Sequence, residues 1–356
     1  MPTPQEILED LKQLKYPGYT RDIVSFGIVR DIEIGSAGIT VTLAPGGARP
    51  EVVQEISAAV QERVRAFSGV PDVEIVVQAP ERPRAAAPGR RSDIPGIRRI
   101  IAVASGKGGV GKSTVAVNFA LALSALGYKV GLLDADVYGP SVPLMMGLTD
   151  RPGAAGPDDR IQPLERYGIK AISLGLFIGE GQPVIWRGPM ITKLLTQFLR
   201  EVDWGQLDVL VLDLPPGTGD AQLTIAQQAP LSGGVIVTTP QDVALLDVQR
   251  GVAMFNQVNA PVLGVIENMS YHVCSGCGAR AEIFGHGGGA RMAAEMGIPF
   301  LGELPLVRRL RESMDAGRPL MVADPNSPES EAFLQIARRV MEEVDRRGET
   351  VLPTVH

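Results

Sequence analysis

Residues 101–114 read Ile-Ala-Val-Ala-Ser-Gly-Lys-Gly-Gly-Val-Gly-Lys-Ser-Thr. Within them, Gly106 to Ser113 match G-x-x-x-x-G-K-[ST], the pattern of a phosphate-binding loop. An apolar β-type run ends just before the loop, and an Ala/Leu-rich helical stretch begins just after it. Glycines let backbone N–H groups turn toward phosphate oxygens, and the start of a helix adds the positive end of its dipole. The stretch therefore predicts nucleotide binding on an α/β fold; the alternative is a glycine-rich turn that binds nothing.

The residues of this loop have separate expected roles. We expect Lys112 to contact the β- and γ-phosphates and Ser113 to ligate Mg²⁺. Lys107 is a second lysine in the loop of a chain that has 27 arginines and only seven lysines, which indicates selection for a compact point charge. The alternative for Lys107 is a solvated loop lysine. The predicted nucleotide-binding residues of the loop are Gly106, Lys107, Gly108, Gly109, Val110, Gly111, Lys112, Ser113 and Thr114.

Length and composition narrow the class of protein. The chain has 356 residues, 45% hydrophobic and 21% charged, which suffices for two domains with a sizeable core. Its net charge of −6 disfavours non-specific binding to nucleic acid. Two cysteines make a disulfide framework unexpected, and the polar start of the chain lacks the pattern of a signal peptide. No run approaches the ~18 apolar residues of a membrane span, so we expect a cytoplasmic protein without membrane or nucleic-acid partners.

A Pro- and Arg-rich stretch divides the chain. Residues 79–96 contain four Pro, two Gly and four Arg, which predicts a linker; a long surface loop within one domain is the alternative. The patterns on either side predict a small α+β domain over 1–78, a P-loop domain over 97–347 and a tail over 348–356. In the small domain we expect helices at 5–15 and 50–67 and strands at 23–29, 32–34, 38–43 and 73–77.

Beyond residue 97, short apolar runs alternate with helical stretches. Most of the runs are continuously apolar, as in strands that are covered on both faces. The expected fold class is α/β, a P-loop NTPase with a mostly parallel sheet and helices on both faces, plus the small α+β domain. The predicted strands are 99–104, 128–133, 169–174, 207–212, 233–238, 262–267 and 299–303, and the predicted helices are 113–126, 187–201, 242–258, 306–316 and 328–346.

Three aspartates follow predicted strands of this domain. Asp134 and Asp136 come after the second strand, and Asp213 ends the apolar run that begins at 207. Carboxylates at strand ends can position water and reach Mg²⁺ directly or through water. Ser113, Asp136 and Asp213 are therefore the predicted magnesium residues, with ordinary loop aspartates as the alternative for 134 and 136. The guanine signature [NT]-K-x-D does not occur, which favours ATP over GTP.

Both cysteines of the chain lie in one short segment, at Cys274 and Cys277. A C-x-x-C turn can direct two thiolates at one metal. One pair cannot complete a four-thiolate site, whereas two copies of the chain supply 2 × 2 = 4 thiolates, enough for a [4Fe-4S] cluster or Zn²⁺. The alternatives are a thioredoxin-like redox pair, a zinc site completed by His272 or His286, and an unliganded structural pair. We interpret both histidines as loop residues.

The loop motif K-G-G-V-G-K-S resembles the deviant Walker A ATPases, which include MinD, ParA and the nitrogenase iron protein. Further motifs are D-A-D-V-Y-G-P-S at 134–141, D-L-P-P-G-T-G-D at 213–220, N-M-S at 268–270 and the C-x-x-C. With them, the chain from about 97 to 345 resembles the Mrp/ApbC iron–sulfur cluster carriers. The resemblance implies an ATP-hydrolysing homodimer that bridges a labile [4Fe-4S] cluster between two chains. Its implied partners are an iron–sulfur scaffold and apo-protein recipients.

The resemblance also implies roles for individual residues. Lys107 would reach across the dimer interface to the nucleotide of the partner chain, and Asp134 would orient the attacking water. The implied catalytic set is then Lys107, Lys112 and Asp134. Asn268 would hydrogen-bond adenine, with a turn or capping asparagine as the alternative.

Residues 1–78 resemble the PaaD-like and SufT-like assembly domains that are often fused in front of these carriers. The pattern of those domains has Cys-Pro after the third strand, where this chain has Arg49-Pro50, and no cysteine occurs in residues 1–78. This domain therefore supplies no thiolate to a cluster. We interpret it as a docking module, with a purely structural role as the alternative.

Two other functions compete with the carrier. A MinD/ParA-like positioning ATPase would act on membrane or DNA, and its membrane-binding members carry a basic amphipathic C-terminal helix. Residues 337–347 instead mix four Arg with two Glu and one Asp, which indicates a solvated helix face. The third function is a nucleotide-dependent reductase whose cluster passes electrons; a stable, redox-cycling cluster would distinguish it from a labile carrier.

Overall fold

The computed structural model describes residues 2–17, 22–25, 27–35, 38–44, 50–67, 72–78, 94–155, 160–177, 188–217, 219–274 and 276–349. Two compact units make up the chain, one of Met1–Ala85 with Ala294–Gly297 and one of Ala86–Ala293 with Ile298–His356. Most of the predicted linker, from 79 to 93, lies outside the described residues, as does the tail beyond 349. The domain limits given above therefore stay predictions.

Over its described residues, the first unit is a three-stranded sheet with two helices. Its elements are α1 (Pro4–Leu11), β1 (Val29–Ile34), β2 (Ile39–Leu43), α2 (Pro50–Arg65) and β3 (Val73–Val77). Strand β2 lies in the middle, antiparallel to β1 and parallel to β3. A capping box joins Thr3 and Glu6 at the start of α1. Helix α2 buries Ile56, Val60 and Val64, because apolar residues three to four apart share one helix face.

One strand prediction for this unit, at 23–29, is wrong. Residues 22–25 form a turn instead of the start of a strand at 23–29, because the backbone N–H of Ser25 donates to the Asp22 carboxylate at 2.7 Å. Such local side-chain bonds compete with extended structure, and Gly27 follows with φ at +73°. The helix predicted at 5–15 ends at Leu11. The other strands and helices predicted here are confirmed within a few residues.

The second unit is built on a large sheet. Its strands are β4 (Ile100–Ala104), β5 (Val130–Asp134), β6 (Ala154–Ala155), β7 (Arg160–Ile161), β8 (Leu164–Arg166), β9 (Ile169–Ser173), β10 (Val209–Asp213), β11 (Gly233–Thr238), β12 (Val262–Glu267), β13 (His272–Val273), β14 (Arg280–Ala281) and β15 (Phe300–Glu303). Over the described residues, eight strands form the sheet in the order β15-β12-β11-β4-β10-β5-β9-β8. All neighbouring pairs are parallel except β8 and β9. Strands β6 and β7 pair with each other, as do β13 and β14.

The fold class predicted from the apolar runs is confirmed. All seven predicted strands are present, and β8 was missed because it is only three residues long and mostly polar. Strands β4, β5, β10, β11 and β12 are buried at every position. Since successive side chains point to opposite faces, both faces of the sheet are covered.

Helices flank the sheet. They are α3 (Lys112–Ala125), α4 (Val142–Met146), α5 (Gly188–Arg200), α6 (Asp220–Gln228), α7 (Asp242–Gln257), α8 (Gly288–Glu295), α9 (Arg308–Asp315), α10 (Leu320–Ala323) and α11 (Pro328–Glu349), with a 3-10 turn at Leu174–Leu176. Helix α3 packs against α11, and α5 packs against α6. The five predicted helices are present, and α4, α6, α8 and α10 were missed. Helices α4 and α10 have only five and four residues, too few to show an apolar period. In the part of the chain that the structure describes, no helix is long and apolar enough to cross a membrane.

The sheet order brings the predicted nucleotide residues together. Strands β4, β10 and β5 are neighbours, with Val103 paired to Asp213 and Asp213 paired to Asp134. Their carboxyl ends therefore meet at one edge, where ligands bind in open α/β sheets. On the other side of β4, beyond β11, strand β12 ends at the same edge and is followed by Asn268.

Candidate functional site

The loop between β4 and α3 has the backbone that a phosphate cradle needs. Gly109 and Gly111 have φ at +81° and +78°, values that a side chain strongly disfavours. Gly106 packs so closely on Asp247 that an added Cβ would collide with that residue. Gly108 and Gly109 are exposed, so this part of the loop backbone is accessible to a ligand. Helix α3 begins at Lys112 directly after the loop.

Lys112 is almost fully buried and lies among acidic groups. Its Nζ donates to Asp213 Oδ1 at 2.5 Å and to Ser113 Oγ at 3.1 Å, and it lies 3.9 Å from Asp136 Oδ2. Asp213 is fully buried. Its Oδ2 is buried with no hydrogen-bond partner within the described part of the chain. Burial raises the pKa of Asp213, and the Lys112 ammonium opposes that rise. A buried oxygen without a partner is a free ligand for a cation.

Asp134 is fully buried and bonded to protein through both oxygens. Its Oδ2 accepts from Ser173 Oγ at 2.8 Å and from the N–H of Val142 at 3.2 Å, and its Oδ1 accepts from the N–H of Asp136 at 3.1 Å. Burial and the neighbouring Asp213 carboxylate raise the pKa of Asp134 to about 7. These contacts fasten the loop that follows β5.

Asp136 presents one oxygen to the phosphate loop. Its Oδ1 accepts from the N–H groups of Tyr138 and Gly139 at 3.2 and 3.1 Å. Its Oδ2 is the atom that lies near the Lys112 ammonium. Compared with Asp134, at the end of β5, Asp136 therefore presents a carboxylate oxygen closer to the lysine that is expected to bind the phosphates.

The side chains of Lys107, which belongs to the loop, and of Asn268, which lies outside it, both bond to protein in this structure. The Lys107 ammonium donates to Gln241 Oε1 at 3.2 Å within its own chain. Asn268 is buried, and its Nδ2 donates to the carbonyl of Val110 at 2.8 Å. In this structure Asn268 therefore holds the phosphate loop. Its predicted bond to adenine stays a prediction, as does the reach of Lys107 into a partner chain.

The two cysteines lie on the hairpin of β13 and β14. The N–H of Cys274 donates to the Ala279 carbonyl at 2.9 Å, and the N–H of Gly278 donates to the Cys274 carbonyl at 2.9 Å. Both thiols are free, with Cys274 half-buried and Cys277 exposed. The backbone N–H groups of Cys277 and Gly276 lower the pKa of Cys274, which favours the thiolate that binds metal.

The structure gives no support to a zinc site within one chain. His272 Nδ1 lies 2.8 Å from the Leu306 carbonyl. His286 joins a separate group with Glu267 and Glu303, and over the described residues this group contains no cysteine. Sequence reasoning treated His286 as a loop residue and missed this group. A glutamate at the end of an apolar strand was the available signal, at both 267 and 303.

The fold and the loop geometry define a P-loop nucleotide-binding protein of the deviant Walker A class. The model of the NUBPL iron-transfer P-loop NTPase family matches residues 96–341. A second family model, described as an iron–sulfur cluster assembly protein, matches residues 4–77. The chain therefore belongs to the NUBPL iron-transfer P-loop NTPase family, and the family predicted from the motifs is confirmed.

Relatives match most of the chain. The chain is 41% identical over 351 residues to an iron–sulfur cluster carrier protein of Haemophilus influenzae, covering 98% of this chain and 94% of the relative. It is 43% identical over 366 residues to a protein of the same name from Aquifex aeolicus, covering 96% and 99%. It is 51% identical over 253 residues to the iron–sulfur cluster transfer protein NUBPL of Dictyostelium discoideum, covering 71% and 78%.

Solved structures agree with this family. A nucleotide-binding protein of Archaeoglobus fulgidus, in complex with ADP, is 39% identical and superimposes with a TM-score of 0.58, covering 67% of this chain and 93% of that one. The MinD cell division ATPase of Pyrococcus furiosus superimposes with a TM-score of 0.53 at 22% identity, covering 68% and 98%. The second likeness shows the fold alone.

Proposed function

We propose that this chain binds and hydrolyses ATP and carries an iron–sulfur cluster on Cys274 and Cys277, which it delivers to apo-proteins. The observation that carries the proposal is the cysteine turn: two free thiols, one with a lowered pKa, on the hairpin that follows Asn268. Relatives named iron–sulfur cluster carrier proteins match nearly the whole chain, which supports the same conclusion.

The residues at the edge of the sheet fit Mg²⁺ and a nucleotide. The buried Oδ2 of Asp213 has no hydrogen-bond partner in the described structure, and the hydroxyl of Ser113 lies near Lys112. We therefore assign Ser113, Asp136 and Asp213 to Mg²⁺, which when bound neutralises phosphate charge. Lys112 would exchange its carboxylate partners for the β- and γ-phosphates, while the backbone of residues 106–114 cradles them.

Hydrolysis needs a group that orients water, and two aspartates compete for this role. The family resemblance gives it to Asp134, whose pKa of about 7 suits proton transfer. Three protein donors already bond to its oxygens, Ser173 and Val142 at Oδ2 and Asp136 at Oδ1, so an attacking water would have to use the remaining acceptor site on Oδ1. The contacts of Asp136 place a carboxylate oxygen nearer Lys112. Asp134→Asn decides between them, because Asp136→Asn also removes a residue that we assign to Mg²⁺. Loss of hydrolysis with Mg²⁺-dependent ATP binding retained would support Asp134, and near-wild-type hydrolysis would exclude it.

The proposal includes a homodimer. One pair of thiols needs a second pair to complete a [4Fe-4S] site, and a partner chain supplies it. Lys107 would then turn from Gln241 to the partner's nucleotide, completing the catalytic set with Lys112 and Asp134. We further propose that residues 1–78 dock a scaffold or recipient, that 79–96 link them to the ATPase domain, and that the protein works in the cytoplasm, where thiols stay reduced.

Anaerobic reconstitution tests the cluster site. Iron and sulfide are counted per dimer for the wild-type chain and for the double variant Cys274→Ala/Cys277→Ala. About four of each per dimer are expected in the wild type, as for one [4Fe-4S] cluster, and none in the variant. Circular dichroism serves as the control that the variant is folded.

A full cluster on the double variant would refute the assignment of the cysteines. Zinc alone, or no metal, on the wild type would leave an ATP-driven switch with a structural cysteine pair. That result would favour the positioning ATPase, which a test of lipid- or DNA-stimulated hydrolysis would then examine.

A further inference from the structure

A polar cluster lies at the base of the cysteine hairpin, apart from the nucleotide residues. Arg280, on β14, places its guanidinium 3.8 Å from the centre of the Tyr271 ring. One nitrogen of the same group lies 3.5 Å from Glu303 Oε1 and 2.8 Å from His286 Nε2. A single side chain therefore contacts the residue before β13, the end of β15 and the loop before α8.

The cluster continues into the buried end of the sheet. The hydroxyl of Ser270 lies 2.6 Å from Glu267 Oε1 and 3.1 Å from Glu303 Oε2. Glu267 and Ser270 are fully buried. The Glu267 carboxylate also accepts from the N–H groups of Gly287 and Gly289 at the start of α8. Arg280 is therefore connected through Glu303 and Ser270 to the buried carboxylate of Glu267, at the end of β12.

This cluster is a closed hydrogen-bonded group rather than a metal site. Glu267, His286 and Glu303 bring one ligand atom each within 4.8 Å of one another. The oxygens of Glu267 are already occupied by three protein donors. Arg280 supplies the positive charge next to Glu303, where a metal ion would have to displace it.

The hairpin depends on these outside contacts. Strands β13 and β14 have two residues each, and an isolated hairpin is marginally stable at best. Strand β13 and the residue before it are held on one side: the N–H of Leu306 donates to the Tyr271 carbonyl at 2.7 Å, and His272 Nδ1 lies 2.8 Å from the Leu306 carbonyl. On the other side, β14 is held through the side chain of Arg280.

We propose that Arg280 is a positioning residue for the cysteine turn, fixing the directions of Cys274 and Cys277 by clamping β14 to Tyr271 and Glu303. The inference rests on the proposed function, in which these thiols hold the cluster. Without the clamp, one strand of the hairpin is released and the turn samples more conformations. Binding a cluster then has to order the turn as well, which lowers the affinity.

The first test measures the turn without any cluster. Arg280→Met removes the charge and the planar group, Arg280→Lys keeps only the charge, and Arg291→Met is the control at an exposed arginine of α8. Hydrogen exchange is followed by mass spectrometry at the amides of Cys274 and Gly278, which are bonded within the turn. We expect about tenfold faster exchange in Arg280→Met, an intermediate rate in Arg280→Lys, and no change in the control.

The second test measures the cluster itself. Reconstituted Arg280→Met is expected to lose iron to a chelator several-fold faster than the wild type, with ATP binding unchanged. Wild-type exchange and wild-type iron loss in this variant would overturn the proposal. If the wild type binds no cluster, the proposed function fails, and the exchange result still decides whether the clamp exists. Should Arg280→Met unfold, Glu303→Gln tests the same contact from the other side.

Discussion

The buried Asp134 carboxyl predicts a measurable dependence of stability on pH. Its side chain, at the end of β5, is fully buried. Burial together with the Asp213 carboxylate raises its pKa from 3.8 to about 7. The substitution Asp134→Asn removes the titration while keeping nearly the same volume. The quantity to compare is the difference in free energy of unfolding between the wild type and this variant, at several pH values.

The sign follows from the direction of the shift. A raised pKa means that the folded protein binds the proton more tightly than the unfolded chain does, so protonation stabilises the fold. This stabilisation is fully present below about pH 4 and is lost as the pH rises through the folded pKa near 7. From pH 5 to pH 8 the wild type should therefore lose about 3 kcal/mol relative to Asp134→Asn, because the slope of about 1.36 kcal/mol per pH unit acts only over the roughly two units up to the folded pKa.

Urea unfolding without nucleotide or Mg²⁺ measures this difference. Trp204 is buried in the second unit, so its fluorescence follows the unfolding of that unit. Asp315→Asn is the matched control, because Asp315 is exposed on α9. Its difference from the wild type should stay constant over the same pH range.

A difference between wild type and Asp134→Asn that stays flat from pH 5 to pH 8 would refute the reasoning. A difference that grows in favour of the wild type with rising pH would do so as well. Either result would mean that the hydrogen bonds from Ser173 and the backbone hold the carboxylate ionised in spite of its burial.

Three further predictions concern the nucleotide residues. Asp213→Asn should weaken Mg²⁺-dependent ATP binding about tenfold or more by calorimetry, because it removes the charge of the proposed Mg²⁺ ligand; equal losses with and without Mg²⁺ would count against that role. Asn268→Ala removes the bond to the Val110 carbonyl and should weaken binding of a fluorescent ATP analogue by about 1 kcal/mol; wild-type affinity would contradict this. Lys107→Ala should still bind ATP but remain monomeric with ATP in light scattering, and an ATP-induced dimer of this variant would exclude the role across the interface.

The larger domain could be predicted in outline because its signals are local. Continuous apolar runs identified the seven predicted strands, since a strand covered on both faces has no polar side to show.

Hydrogen bonds from backbone N–H groups to carboxylates account for two failures of prediction. In the small domain, no strand forms at 23–29 because the N–H of Ser25 bonds to the Asp22 carboxylate. Helix α8 was missed because it opens with Gly288 and Gly289, whose helical state depends on Glu267 accepting from this segment.

The candidate site divides in the same way. The phosphate loop and the cysteine pair are contiguous motifs, so the sequence reveals them. The bond from Asn268 to Val110 spans 158 positions, and the group of Glu267, His286 and Glu303 is spread over three segments. A glutamate at the end of an apolar strand marks 267 and 303 singly, but only the packing of β12, β15 and the loop before α8 brings these side chains together with His286, and no spacing in the sequence shows that.

The segment between β12 and the cysteines contacts the phosphate loop through the side chain of Asn268. Its backbone is held on both sides of that residue. The N–H of Asn268 donates to the Thr238 carbonyl at 2.8 Å, and the N–H of Ser270 donates to the Leu304 carbonyl at 3.0 Å. A shift of the phosphate loop would therefore break the side-chain contact of Asn268 before it bent this segment. In the proposed homodimer, nucleotide state should then reach the cysteines through the relative orientation of the two chains, rather than by deformation within one. Cys274 and Cys277 of each chain would hold the cluster in that dimer, so such a rotation would move one pair of thiols relative to the other.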